Sequence, residues 1–248
     1  MQLRYRSAPR THVGLVRKAN EDSMLARDDV ALWIVADGMG GHDNGQWASR
    51  TLVAQFESLD LRINRNARGA AIIHAIQEGN RTINDAATMA GKQMGTTAVV
   101  VHCDADDMLL IWVGDSRIYR LRAGEFVQLT RDHTLVQDLV DGGTLSAEEA
   151  ETHPMSHVLS RAVGTEPGLR YDSLVEKAHA GDRYLLCSDG LMKCVSDARM
   201  AEILSSGSID VAADLLIAET LEGGAPDNTT VVVLSAEEAT ALGLRPVL

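Results

Sequence analysis

Four aspartates of this chain stand beside a glycine at the edge of an apolar, β-prone run, and each pair marks a place where a strand must stop or turn. They are Asp37 in Ile34-Val35-Ala36-Asp37-Gly38, Asp115 in Ile111-Trp112-Val113-Gly114-Asp115, Asp189 in Leu185-Leu186-Cys187-Ser188-Asp189-Gly190, and Asp227 in Gly223-Gly224-Ala225-Pro226-Asp227-Asn228, which runs into Thr229-Thr230-Val231-Val232-Val233. Taken singly, such a pair is first of all a turn signal. Repetition changes its weight. A carboxylate at a strand end is rigidly placed, yet it lies at the sheet margin where water and ions reach it, and the glycine lets the backbone turn sharply and come close to a bound ion. Four such carboxylates in one place repel each other unless divalent cations compensate them, and an all-oxygen donor set suits hard ions such as Mg²⁺ or Mn²⁺. The pattern predicts a carboxylate-bound metal centre with more than one ion.

Two nearby features extend this reading. Asn20-Glu21-Asp22 is a further acidic cluster, and Arg17 stands five residues before Asp22. An arginine there is by default a surface residue; beside a dimetal centre it is a planar fork for a phosphate group.

Composition narrows the class. A chain of 248 residues can bury one sizeable core and is expected to form a single domain over 1–248. Aromatic residues make up only 4%, so the core must be aliphatic. The balance of 35 acidic against 23 basic residues gives a net charge of −12, and no basic stretch exceeds a few residues. Nucleic-acid binding rests on basic contacts to phosphate and is not expected. The three cysteines, Cys103, Cys187 and Cys194, are odd in number and include no C-x-x-C spacing, which argues against a disulfide scaffold and a thiolate zinc site. Met1 to Arg6 contains no apolar signal segment, and no run approaches the ~18 apolar residues of a membrane span. A cytoplasmic, membrane-free protein is expected, and nothing demands an oligomer, so a monomer is the default.

Periodicity predicts an edge strand within residues 1–16, strands over Ala31 to Ala36 and Thr96 to Cys103, and helices over Gln46 to Leu59 and Arg68 to Met89. Leu109 to Val113, Ile118 to Leu121 and Phe126 to Leu129 read as a meander. Residues 131–160 are polar, with Gly142-Gly143, Pro154 and helical pieces at Thr134 to Val140 and Ala147 to Thr152, and read as an excursion from the sheet core. A strand at Arg183 to Cys187, a helix at Ile209 to Leu221 and a strand at Thr229 to Leu234 follow. Hairpins rather than regular βαβ units place the chain in the α+β class.

Seven segments now carry a resemblance: Val13 to Arg17 with Asn20-Glu21-Asp22, Val35 to His42, Met94-Gly95-Thr96-Thr97, Val113-Gly114-Asp115-Ser116-Arg117, Leu159 to Gly164, Cys187-Ser188-Asp189-Gly190-Leu191, and Pro226-Asp227-Asn228-Thr229-Thr230. In this order, from about Thr11 to Leu234, the chain resembles the metal-dependent protein phosphatases of the protein phosphatase 2C family in their short bacterial form. Each segment alone is weak; seven in order is very specific. The resemblance implies a four-layer α-β-β-α sandwich of two mostly antiparallel sheets flanked by helices, with a metal cleft at one edge and residues 131–160 as a flap beside it. It implies hydrolysis of phosphoserine and phosphothreonine on proteins, opposing a Ser/Thr kinase. Asp37 matches the carboxylate that bridges two Mn²⁺ or Mg²⁺ ions, Gly38 the residue lending a backbone carbonyl, and Asp189 and Asp227 further ligands. Asp115, with Asp189, matches the holder of a third and weaker ion. Glu21 and Asp22 match acidic residues near the metals, Asn228 accompanies Asp227, and Arg17 matches the phosphate-binding arginine. In the implied mechanism, water activated by the metals attacks phosphorus directly, without a side-chain nucleophile.

The sequence departs from the pattern at Gln46, where glutamate is expected. Met39 stands where some members place a histidine proposed as the general acid, which leaves that acid unassigned. A metal-bound water and His42 are the candidates for it, while the flap histidines His153 and His157 could touch the substrate or the third metal; each histidine is also readable as an ordinary loop histidine. Two rival readings remain: a phosphoprotein-binding pseudoenzyme, against which stands the presence of all four aspartates, and a phosphatase of small metabolites. Asp104-Ala105-Asp106-Asp107 superficially resembles a D-x-D nucleophile loop but lies in an expected hairpin turn. The Gly38 to Gly41 run does not fit G-x-G-x-x-G, so dinucleotide binding is not expected.

Overall fold

The structure is a computed structural model; it describes residues 3–239 apart from His42 and Thr152. In chain order, the strands β1 (Leu3–His12), β2 (Asp22–Arg27) and β3 (Leu32–Met39) lead into the helices α1 (Asp43–Glu57) and α2 (Arg65–Ala90). The strands β4 (Gly95–Thr96), β5 (Ala98–Asp104), β6 (Asp107–Val113), β7 (Arg117–Arg122) and β8 (Glu125–Gln128) follow, then α3 (Leu135–Asp141) and α4 (Ala147–Glu151). The remainder is β9 (Asp172–Lys177), β10 (Arg183–Cys187), α5 (Asp189–Met192), α6 (Asp197–Ser205), α7 (Ile209–Glu222) and β11 (Thr229–Glu238).

The strands form two antiparallel sheets, one ordered β1-β11-β10-β7-β8 and the other β2-β3-β5-β6-β9 with β4 on β3. The reason lies in the strand faces. Side chains of a strand alternate between its two sides, and a strand covered on both sides reads as a continuous apolar run. In β3, Leu32, Ile34 and Ala36 pack with Leu52, Phe56, Ile72 and Ile76 of α1 and α2. Its other face, Trp33 and Val35, packs across onto Ile118, Tyr184, Leu186 and Val232 of the opposing sheet. On the far side of that sheet, Tyr119, Leu185, Val231 and Val233 meet Met200, Ile203, Ala213 and Leu216 of α6 and α7. Helix, sheet, sheet, helix is the expected four-layer α+β sandwich.

The expected meander is not formed. β6 pairs with β5 and β9, whereas β7 pairs with β8 and β10 in the other sheet. Between them Gly114, at φ +99°, and the two residues after it carry the chain from one sheet to the other. Apolar runs separated by a short turn need not be partners when two sheets are open to them. Several elements escaped the periodicity: β2 buries only Asp22 fully, and β9 leaves Leu174 and Val175 exposed, so neither shows an apolar face. Residues 131–160 do leave the sheets, carrying α3 and α4, but the excursion is closed at its base. Thr134 bridges Leu159, Leu135 N–H donates to Val158 O (2.9 Å), and Ser160 N–H donates to His133 O (2.9 Å).

Candidate metal centre

Four junctions meet at one edge of the sandwich: the end of β3, the β6–β7 crossover, the start of α5 and the loop before β11. Asp37, Asp115, Asp189 and Asp227 thereby line one cleft of about 630 Å³, together with Glu21, Asn228, Arg17, Lys193 and His157. Asp22 lies beneath, paired in register with Asp37 across β2 and β3, and is buried. Gly38 is buried between Asp37 and Met39, which both line the cleft. Of the flap histidines, His157 lines the cleft, whereas His153 accepts the Met155 N–H at 3.2 Å. The suggested role of His42 lies outside the described residues.

The backbone holds these carboxylates firmly. Asp37 N–H donates to Thr97 Oγ1 (2.9 Å), and its carbonyl accepts from Thr97 N–H (2.8 Å) and Thr96 Oγ1 (3.0 Å). Thr97 Oγ1 also bonds Ser116 Oγ (2.7 Å), tying the Asp37 strand to the Asp115 crossover. Asn228 clamps the Arg17 loop: its Nδ2 donates to Val13 O (2.8 Å) and Ala19 O (2.9 Å), and its Oδ1 accepts from Glu21 N–H (2.8 Å). Ser188 Oγ donates to Asp22 Oδ2 (2.7 Å). Gln46 sits within α1 and donates through Nε2 to Asn20 O (2.8 Å). Two of the flanking glycines also serve a steric purpose. A Cβ on Gly38 would lie 2.1 Å from Gly45 O, and one on Gly190 would lie 1.9 Å from Asn228 O. At both positions glycine admits a neighbouring backbone, so that the junctions can converge.

Convergence concentrates charge. Burial first, then the charges of Asp22, Asp189, Asp115 and Asp227, push the Asp37 carboxyl well above the usual range. Burial and Asp189 raise Asp115 to about 7, and burial raises Asp22 to about 6. Asp227 goes the other way: burial works against its carboxylate, but hydrogen bonds from Lys193 and Arg17 outweigh it and hold its pKa low. Around the cleft, Glu21, Asp22, Asp37, Asp115, Asp189 and Asp227 face two basic side chains, Arg17 and Lys193. Four negative charges are left over when all are ionised, the charge that two divalent ions carry. Asp189 Oδ1 and Asp22 Oδ1 are buried without a hydrogen-bond partner. An all-oxygen donor set, surplus negative charge and an orphaned carboxylate oxygen fit hard divalent cations. Asp189 and Asp227 are turned onto the bases, and among the described residues no three His, Cys, Asp or Glu side chains converge as a ready ligand set.

The bases hold Asp189 and Asp227 closely. Arg17 Nε and Nη2 each lie 2.8 Å from an Asp227 oxygen, a two-pronged contact. Lys193 Nζ lies 2.6 Å from Asp189 Oδ2 and 2.9 Å from Asp227 Oδ2. Lys193 is not among the expected site residues, although its place four residues after Asp189 is a usable signal. A second group had no such signal. His133, buried, accepts the Gly114 N–H through Nδ1 (3.1 Å), so Nε2 carries the proton and faces Asp172 Oδ2 at 3.1 Å. Burial outweighs that hydrogen bond and lowers the imidazole pKa, leaving it neutral. Arg161 holds the other Asp172 oxygen at 3.3 Å. This chain of contacts fixes the crossover that presents Asp115.

Comparison with known proteins gives this geometry a context. Residues 5–138 match the family profile described as Protein phosphatase 2C. The chain is 42% identical over 236 residues to the serine/threonine protein phosphatase PstP of Mycobacterium tuberculosis, covering 93% of this chain and 44% of that protein. The chain therefore spans less than half the length of PstP. It is 35% identical over 238 residues to the serine/threonine phosphatase Stp of Listeria monocytogenes, covering 92% of this chain and 94% of Stp. The solved catalytic domain of PstP in complex with two manganese ions superposes with a TM-score of 0.86 at 39% identity, covering 95% of this chain and all of that one. With profile, relatives and architecture in agreement, this chain belongs to the protein phosphatase 2C family.

Proposed function

We propose that this chain is a metal-dependent protein serine/threonine phosphatase, with residues 1–248 forming one catalytic domain and 131–160 its flap. The observation that carries the reading is the cleft itself: four aspartates from four separate junctions, with surplus negative charge and an orphaned Asp189 oxygen. Membership in the family and likeness to a manganese-bound phosphatase domain support it.

Asp37 is assigned as the bridging ligand of two Mn²⁺ or Mg²⁺ ions, with the Gly38 carbonyl, Asp189 and Asp227 completing their protein ligands. Asp115, beside Asp189, is the place for a third and weaker ion. When bound, the ions supply the positive charge that acidifies an attacking water and offsets the phosphoryl oxygens. The remaining work falls to the chain. Arg17, exposed at the mouth, would turn its fork from Asp227 to a phosphoryl group, a two-pronged recognition suited to guanidinium. Asn228 keeps the Arg17 loop in register with the aspartates, and Glu21 and Asp22 hold negative charge around and beneath them. Met39 and Leu159 form part of the cleft wall. The substrates are phosphoserine and phosphothreonine proteins made by a Ser/Thr kinase, met by a monomer in the cytoplasm. Among the described residues no helix is long and apolar enough to cross a membrane.

Hydrolysis of a phosphothreonine peptide and of p-nitrophenyl phosphate, each with EDTA, Mg²⁺, Mn²⁺ and Zn²⁺, tests the reading. The expected result is turnover abolished by EDTA, restored by Mn²⁺ or Mg²⁺, with preference for the peptide. A folded sample that binds Mn²⁺ but turns over neither substrate would instead be a phosphoprotein-binding relative without activity.

A further inference from the structure

Lys193 lines the cleft as a base that the assigned ligand set does not use, and its position is unusual for a lysine. It caps the short helix α5 that begins at Asp189, so its ammonium is carried back over the aspartate one turn earlier. From there it reaches across to the loop before β11 and touches Asp227 as well. Its side chain is 37% exposed, while those of Asp189 and Asp227 are 19% and 20% exposed. The ammonium is thus partly open to water, while the carboxylates it meets are mostly covered. Both partners are carboxylates assigned to the metals.

Resting on the reading of this cleft as a metal site, we propose that Lys193 is a built-in counter-cation that competes with divalent ions for Asp189 and Asp227 and thereby weakens the third ion's hold at Asp115 and Asp189. The charge balance carries the argument. With Lys193 and Arg17 present, the six carboxylates retain four negative charges, which two divalent ions neutralise. A third divalent ion would leave the site positive by two. Without Lys193, five charges remain, and a third ion overshoots by only one. The contacts point the same way. An ammonium is a compact point charge on a flexible stem, able to withdraw from the carboxylates without moving the backbone. An ion entering between Asp189 and Asp227 must displace it first. Mn²⁺ binding is then an exchange of one cation for another, weaker than it would be at free carboxylates.

The test is Mn²⁺ binding to EDTA-treated, desalted protein, followed by calorimetry and by the electron paramagnetic resonance signal of free Mn²⁺. Lys193→Met removes the charge and keeps an apolar stem, Lys193→Gln removes it with a polar end, and Lys193→Arg keeps it. In the neutral variants we expect the binding midpoint to fall by about threefold or more, the scale of one half-exposed ion pair removed, or a third Mn²⁺ per chain to appear. Lys193→Arg should bind as the wild type does. Neither change in a folded neutral variant, or a Lys193→Arg variant that behaves as the neutral ones do, overturns the inference. Asp37→Ala separates this from the broader reading. If wild type binds no Mn²⁺, or Asp37→Ala binds it equally well, the metal assignment itself falls. If wild type binds through Asp37 and Lys193→Met changes nothing, only the role of Lys193 falls.

Discussion

Strand β5 has an acidic cluster beyond each end, and the two are opposites. At the hairpin into β6, Asp104, Asp106 and Asp107 meet Arg65, Arg68 and Lys177. Asp104 lies 2.9 Å from Arg65 and 3.0 Å from Arg68, Asp107 lies 2.7 Å from both Arg65 and Lys177, and Asp106 lies 3.2 Å from Lys177. Three carboxylates face three bases there, in a turn open to water, with Ala105 at φ +60° at its tip. At the other end, six carboxylates gather around two bases, and two of their oxygens are buried without partners. The first cluster is complete as a piece of surface. The second keeps a surplus of negative charge, which the proposed ions would offset. Density of acidic residues therefore does not distinguish a site from a decorated turn; the charge left after every base is counted does, together with burial, which makes that charge costly.

This contrast can be broken by experiment. The largest effect belongs to Asp37→Ala: we expect kcat/KM to fall by at least about a thousandfold, roughly 4 kcal/mol of transition-state stabilisation, while circular dichroism reports an intact fold. Near-full turnover would refute the bridging assignment. Next in size is metal itself. Mn²⁺ at about a hundred times its Kd should stabilise the wild type by ~2.7 kcal/mol in thermal unfolding, an increment that EDTA removes and that Asp37→Ala lacks. Arg17→Ala should raise KM for a phosphopeptide about tenfold, ~1.4 kcal/mol, with little change in kcat, because its fork is assigned to phosphate rather than to metal. A loss confined to kcat would reassign Arg17. The smallest effect is expected at the balanced end. Asp104→Asn should cost less than ~1 kcal/mol of stability and leave both turnover and Mn²⁺ affinity within about twofold, as exposed ion pairs do. A large change in Mn²⁺ binding there would mean that the two ends are not independent.

Much of this site was legible along the chain because each of the four aspartates that line the cleft sits in its own local signature, an apolar run meeting a glycine or an Asp-Asn turn. Such signals span a few residues and survive without knowledge of the fold. What the local stretches do not show has a common cause. The backbone atoms that crowd Gly38 and Gly190 are Gly45 O and Asn228 O, distant in sequence. A short turn between β6 and β7 suggests partners, yet they belong to different sheets. β2 was invisible because the residue it buries most is Asp22, a carboxylate, and no apolar alternation marks it. His133 and Asp172 lie 39 residues apart and announce nothing in either local stretch.

The amino-acid order thus settled which residue types would carry the chemistry, and the apolar runs settled that the strands would be covered on both faces, since those are properties of a few neighbouring residues. The order could not state the balance of charge. Whether an aspartate is neutralised depends on which base the folded chain brings within about 3 Å, and Coulomb attraction acts through space rather than along the sequence. Folding gave Asp104 to Arg65 and Arg68 and Asp227 to Arg17 and Lys193, and left Asp37 deep among other carboxylates.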